Sequence, residues 1–276
     1  MAGRLADVTR PISFLSDFGL ADEFVGVVHA VMTRIAPESR IIDITHQVPR
    51  GDIQAGALAL VRAVQYLPEG VAVAVVDPGV GTTRRAIAVG TAWGEFVGPD
   101  NGVLAPAVAM MGGAERIVAI EDPQYQLPRD GVTFDGRDVF APAAALLAAG
   151  EVAIGDLGAG LDTSSATPLL LPLVDNSDGQ LAGQVLWVDA FGNCQTNITP
   201  QDMADVGLAA GATVEAAVGV TSYNLAWVAS YGDVEPGEAL IHIDSYGQIS
   251  LAVREGRADD DLALAVGTSV VIRPPK

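Results

Sequence analysis

A chain of 276 residues, half of them hydrophobic, is long enough to bury one large core or two modest ones. Its formal net charge of −19 repels nucleic-acid backbones and anionic membranes, so neither is expected as a partner, and a small or cationic ligand fits better. The only lysine is Lys276, which excludes a Walker-type phosphate loop, a pyridoxal Schiff base and a kinase-type lysine.

Cys194 is the single cysteine, so a disulfide framework is impossible and a reducing, cytoplasmic setting is expected. No N-terminal segment joins a basic start to a long apolar stretch, and the Ala-rich run after Pro142 ends at Gly150, too short to span a bilayer. His29, His46 and His242 are the only histidines and show no HExxH spacing, which argues against a conventional zinc hydrolase. No metal and no cofactor is assigned. The chemistry is left to Asp, Glu, Arg, Ser, Thr, Asn and the backbone.

The first half alternates between two periodicities. Residues 11–15 (PISFL) read as a strand ending at Ser16-Asp17-Phe18-Gly19, and 22–36 carry apolar residues at helical spacing before Pro37. A strand is expected over 40–44, a helix over 52–66 begun by Asp52, and a strand buried on both faces over 71–76 (VAVAVV). Such alternation predicts a mainly parallel sheet flanked by helices, with ligands beyond the carboxyl ends of the strands. Asp17 and Asp77 each stand immediately after such a strand.

Asp77-Pro78-Gly79 forces a turn, and Gly81 permits positive φ before the chain re-enters a strand at Arg85 or Ala86. Adjacent Arg84 and Arg85 point to opposite faces of an extended return, so one can meet the strand-end pocket. Asp100-Asn101-Gly102 sits between a strand and a helix and reads as a turn and cap. Residues 133–150 predict a helix with Asp138 as N-cap, Pro142 in its first turns and Gly150 as terminator, below the polar loop Asp135-Gly136-Arg137.

Beyond about residue 165 the pattern changes. Short strands are expected over 182–189, 212–219, 238–243, 247–253 and 268–273, with a short helix near 200–206. An N-terminal α/β domain over 1–168 and a smaller C-terminal β-barrel domain over 178–276 follow, joined by a linker near 160–180. Asp259-Asp260-Asp261 reads as a solvated turn.

Several of these residues have two readings. Asp17 can hold both hydroxyls of a ribose or cap a turn before Gly19. Asp77 and an arginine can form a pocket or only a structural salt bridge. In "VDAFGNCQTNI", residues 188–198, Phe191 beside Asn193 offers a stacking face and an amide for an adenine edge, or else marks a hairpin turn at Gly192-Asn193. In "IDSYGQISLAV", residues 243–253, a hairpin turn places Ser245 and Tyr246 to reach a neighbour.

Taken in order, "FLSDFG", "DITHQV", "VVDPGVGTTRRAIAV", "GPDNGVL", "TFDGRDVFAPAAA", "FGNCQTNI" and "DSYGQISLAV" resemble the S-adenosylmethionine (SAM) hydroxide adenosyltransferases, adenosine-forming SAM hydrolases related to the SAM-dependent fluorinase and chlorinase. The resemblance runs over about residues 11–257. It implies an α/β domain, a β barrel, and a homotrimer with sites between the first domain of one subunit and the second of the next.

By the same resemblance SAM is the substrate. Asp17 would hold the ribose hydroxyls; Asn193, beside Phe191, would bind adenine; Asp189 and Ser245 would hold the methionine ammonium. Asn101 and Val253 complete the implied substrate-binding set. Asp77 and Arg84 match the first two members of the hydrolases' Asp-Arg-His water-binding set. The chain departs from the pattern twice: Asp135 stands where the hydrolases usually carry histidine, and Tyr246 where the halogenases carry the arginine for the methionine carboxylate.

The chemistry implied is in-line attack of water at the ribose C5′, with Arg84 orienting the oxygen, Asp77 taking its proton, and Asp135 beside them. Two alternatives stand next to it. A non-catalytic SAM or adenosine binder would keep the pocket without the histidine. A halogenase would have to desolvate a halide beside two carboxylates, and the halogenases carry Tyr-Pro where this chain has Asp77-Pro78.

Overall fold

The computed structural model describes residues 9–275, and the chain divides after Leu169 into two compact units. The division falls inside the expected linker.

Among the described residues, the first unit forms a seven-stranded sheet. Its strands are β1 (Ile12–Ser16), β2 (Ile41–Thr45), β3 (Val71–Val75), β4 (Ala86–Gly90), β5 (Glu95–Pro99), β6 (Arg116–Ala119) and β7 (Gly160–Leu161), ordered β2-β1-β3-β5-β4-β6-β7. Strands β2, β1, β3 and β5 pair in parallel, whereas β4 runs antiparallel to β5 and β6, and β7 antiparallel to β6. The expected parallel sheet thus occupies one end only. The loop from Asp77 reverses the chain, and β4 returns as a hairpin partner of β5.

The parallel strands are buried on both faces because helices cover both. Ile12, Phe14, Val71, Val73 and Val75 join one core with Val28 and Met32 of α1 (Phe24–Ile35) and Ala144 and Leu147 of α4 (Ala141–Ala148). Alternation sends Leu15, Ala72 and Ala74 to the other face. There α2 (Ile53–Val64) packs with α3 (Ala105–Met110) and against β1 and β2. Helix α2 starts as expected: Asp52 Oδ1 accepts from Ala55 N at 2.9 Å.

The helix expected over 133–150 begins differently. Residues Gly136–Phe140 form one π-helical turn that runs into α4, with Pro142 in its first turn. Asp138 is therefore inside the helical run and not its N-cap; it is buried and paired with Arg137, whose Nε and Nη2 donate at 2.6 and 2.9 Å. Asp135 takes the N-cap position without making a side-chain cap.

The second unit is a barrel. Its strands are β8 (Asp175–Ser177), β9 (Gln180–Val188), β10 (Cys194–Thr196), β11 (Thr213–Val218), β12 (Thr221–Trp227), β13 (Ala239–Ile243), β14 (Ile249–Val253) and β15 (Ser269–Arg273). The order β10-β14-β13-β12-β11-β15-β9-β8 is closed by a further β10–β9 pairing, so seven strands ring the core and β8 hangs outside on β9. Closure leaves no open edge around the ring. Helix α5 (Pro200–Asp205) carries a capping box between Thr199 and Asp202, and α6 (Ala258–Asp261) is a single turn. The solvated turn expected at Asp259-Asp260-Asp261 is this one: Asp260 and Asp261 are exposed, and Arg257 Nη2 donates to Asp259 at 2.8 Å.

Candidate active site

The order β2-β1-β3 sets the site. From β1 the chain moves outward to β2 and then returns to the opposite side of β1 as β3, so the connections after β1 and β3 diverge and leave a crevice at their carboxyl ends. Asp17 and Asp77 follow those two neighbouring strands, and Asp17 N donates to Val75 O at 3.3 Å. Both carboxylates line one cleft of about 930 Å³, a size that suits a nucleoside-sized ligand.

The cleft has an acidic cast and an aromatic wall. Asp17, Asp22, Asp77 and Asp138 line it against Arg50 and Arg137, a balance that favours a cationic ligand. Phe18, Phe24 and Phe134 meet edge to face with ring centroids 5.2–6.2 Å apart. Arg137 lies over the Phe134 ring at 5.1 Å. The loop that carries Asp17 is braced from the β2–α2 connection, where Gly51 N donates to Asp17 Oδ2 at 2.7 Å and Gly19 N to His46 O at 2.7 Å.

The Asp77 loop folds back on itself. Val80 N donates to Asp77 O at 3.2 Å, Thr82 N and Oγ1 both donate to Gly79 O, and Gly81 takes φ +78°. These turns return Arg84 to Asp77, where Arg84 Nε lies 3.0 and 2.9 Å from the two carboxylate oxygens and Nη2 reaches Oδ2. The same Nη2 donates to Asp135 Oδ2, and Arg129 Nη1 donates to Asp135 Oδ1. Charge alternates along Asp77–Arg84–Asp135–Arg129.

That alternation answers the departure at position 135. Asp77, Arg84 and Asp135 are nearly withdrawn from water, with side chains 6, 12 and 10 % exposed. Two carboxylates there beside one guanidinium would leave an unbalanced buried charge. Arg129 supplies the missing cation. Burial opposes the charge on Arg84, but its hydrogen bonds to Asp77 and then Asp135 outweigh that and hold the guanidinium above its ordinary value.

Of the three residues expected to be catalytic, Asp77 lines the main cleft. Arg84 and Asp135 line a neighbouring opening of about 430 Å³ with Arg129. Arg84 therefore stands behind Asp77. Arg85 turns the other way, as adjacent strand residues must, and its Nε donates to Asp100 Oδ2 at 2.8 Å. Asn101 is a brace: Nδ2 donates to Val76 O at 2.8 Å and Oδ1 accepts from Val103 N at 3.2 Å, fixing the residue before Asp77.

In the barrel unit, Asp189 organises its own loop. Its Oδ1 accepts from Phe191 N and Asn193 N at 2.8 and 2.9 Å, and its Oδ2 from Asn193 Nδ2 at 2.9 Å. Phe191 is left 76 % exposed at the tip, a large aromatic face presented to its surroundings. Ser245 and Tyr246 occupy the β13–β14 turn, where Asp244 Oδ1 accepts from Tyr246 N at 2.8 Å and Tyr246 is half-exposed. The Val253 side chain packs in the barrel core and is not offered to a ligand.

Sequence reasoning did not find Arg129 or the Phe18–Phe24–Phe134 wall. Arg129 lies in an irregular segment whose only sequence signal is one basic residue six positions before Asp135.

Comparison with known proteins matches both units. The model of the SAM hydroxide adenosyltransferase N-terminal domain covers residues 12–158, and that of the family's C-terminal domain covers 183–271. The chain belongs to this family. Among its relatives, the (R)-S-adenosyl-L-methionine hydrolase of Salinispora tropica is 43 % identical over 93 % of this chain and 95 % of its own length. That of Thermus thermophilus is 38 % identical over 95 % of this chain and 98 % of its own. A fluorinase of an Actinoplanes species stands further off, at 27 % identity over 87 % of this chain and 90 % of its own. An uncharacterised conserved protein of Thermotoga maritima has a crystal structure that superposes with a TM-score of 0.88 at 35 % identity, covering 95 % of this chain and 99 % of that one.

Proposed function

We propose that the protein is a SAM hydrolase that releases adenosine and L-methionine. The observation that carries the reading is the meeting of Asp17 and Asp77 in one acidic cleft at the β1/β3 switch point, with Arg84 locked onto Asp77. Asp17 binds the ribose hydroxyls and so fixes C5′ with respect to Asp77. The aromatic wall excludes water other than the one Asp77 holds.

In the reaction the water oxygen forms a bond to C5′ as the C5′–sulfur bond breaks. The sulfur takes the bonding pair and leaves as a neutral thioether, and the water gives a proton to Asp77 and then to solvent. The sulfonium is already a good leaving group, so no metal or cofactor is required for the step, and the protein's work is placement and proton removal. Arg84 uses part of Asp77's acceptor capacity and leaves lone pairs for the water. A halide at the same point would face the Asp77 carboxylate in a poorly solvated site, which disfavours halogenation.

The relatives' names carry the descriptor (R) beside L-methionine, which leaves the sulfonium sulfur as the centre described. The same epimer is the proposed substrate here. In the barrel unit, Phe191 and Asn193 take adenine, while Ser245, Tyr246 and Asp189 take the methionine end. The enzyme acts as a cytoplasmic homotrimer, and its charge of −19 keeps it from polyanions. Incubation with each SAM epimer, scored for adenosine and methionine, tests the activity; sedimentation velocity tests the assembly.

A further inference from the structure

His29, Asp43 and His46 come from three places in the chain: helix α1, strand β2 and the connection after it. The sheet brings them together. His29 Nε2 lies 2.8 Å and His46 Nε2 2.9 Å from the same oxygen, Asp43 Oδ1, and the three atoms all fall within 4.8 Å of one another. Two imidazole nitrogens and one carboxylate oxygen on a common point are a donor set suited to a late first-row divalent ion such as zinc.

The surroundings are those of a built site. His46 is 3 % exposed, its ring lies against Phe14 with centroids 4.6 Å apart, and its Nδ1 sits 2.8 Å from Oγ of fully buried Ser16. Without an ion both Nε2 atoms donate to Asp43 Oδ1; a cation would take the place of those two protons, and Ser16 Oγ can then accept from His46 Nδ1–H, the tautomer that ligates a metal through Nε2. His29 and Asp43 are 30 and 46 % exposed, so the set is anchored on one side and open to water on the other. Water can fill the remaining positions, and an ion can enter without unfolding the sheet.

We propose that His29, Asp43 and His46 form a binding site for a zinc-class divalent cation at the border of the cleft, which His46 also lines, and away from Asp77. Its effect is structural. Bound there, the ion ties α1 to β2 and to the His46–Gly51 segment, whose backbone braces Asp17 and Gly19. It takes no part in the displacement at C5′.

The test is metal binding by the full chain after chelator treatment. Cobalt(II) is titrated and followed by its visible d–d absorption, and zinc is measured by competition with a chromophoric chelator and by its effect on Tm. The expected result is one equivalent per chain, a cobalt spectrum of mixed nitrogen and oxygen ligation, and a zinc-dependent rise in Tm. His29→Ala and Asp43→Asn, both at partly exposed positions, should each weaken zinc at least about tenfold and abolish the Tm rise. Absence of saturable binding at one equivalent, or binding that neither variant changes, overturns the site.

Discussion

Arg84 donates to Asp77 and Asp135 at the same time, and Arg129 closes the far side of Asp135. The carboxylate that faces the cleft is thus held by a row of alternating charges. A lysine at position 84 would keep the charge but lose the fork. Arg84→Lys is expected to lower kcat about 10²- to 10³-fold with KM changed only a few-fold, because the carboxylate proposed to hold the water loses its orientation while the proposed nucleoside contacts persist. Steady-state release of adenosine from SAM checks this split.

Arg129 pairs with Asp135 and lines the neighbouring opening instead of the main cleft, so its influence on Asp77 passes through Asp135 and Arg84. Arg129→Ala should reduce kcat on the order of 10- to 100-fold, by loosening Asp135 and then Arg84, with KM nearly unchanged. Arg129→Lys should recover part of the loss, since a cation again faces Asp135. Equal activity of the alanine variant and the parent would remove Arg129 from the account.

Asp17 carries the proposed ribose contact. Loss of a charged acceptor from two ribose hydroxyls is expected to cost about 1.5–3 kcal/mol. Asp17→Ala should therefore raise the inhibition constant for adenosine roughly 10- to 100-fold. Calorimetric titration with adenosine reads the effect directly, and wild-type affinity in the variant would refute the ribose contact.

Cys194 is buried at the start of β10, and burial, followed by the nearby Asp259 and Asp189 charges, pushes its thiol up to about 12. The folded state thus prefers the protonated thiol. Its contribution to stability is complete below about pH 9, where a free thiol titrates, and is lost as pH rises from there toward about 12. At pH 8 a thiol-reactive chromogen should leave the native protein unmodified and label one thiol per chain after denaturation. Rapid labelling of the native protein would contradict that placement.

Gly192 takes φ +87°, and a Cβ there would lie 2.5 Å from Asp259 Oδ1 and 2.8 Å from Arg257 Cβ. Gly192→Ala should destabilise the barrel by about 1–3 kcal/mol, through the left-handed backbone and the clash together. Thermal unfolding followed by circular dichroism measures it.

Much of this was legible in the sequence, and the reasons are particular. The run VAVAVV at 71–76 and the cap at Asp52 have one low-energy reading each, so β3 and α2 fall where expected. Strands β6, β7, β8, β10 and β12 escaped because the first four are pieces of two to four residues, too short for a period to show, and β12 (TSYNLAW) has an exposed, polar first half. Asp17 and Asp77 were found because a carboxylate after a buried strand is conspicuous. Asp138 was misplaced because the π turn before α4 shifts the helix start, which no cap residue signals. Arg129 was invisible because its meaning depends on Asp135 reaching Arg84, a contact 51 residues apart in sequence.

The central claim is that Asp77 holds and deprotonates the attacking water. The most direct measurement is chromatographic: the purified protein and its Asp77→Ala variant are each incubated with (R)- and (S)-SAM, with and without chloride, and scored for adenosine, methionine and 5′-chloroadenosine. The account predicts equimolar adenosine and methionine from the (R) epimer, no chlorinated product, and loss of turnover in the variant with SAM still bound. Intact SAM in the presence of the parent protein, or undiminished adenosine from Asp77→Ala, would contradict it.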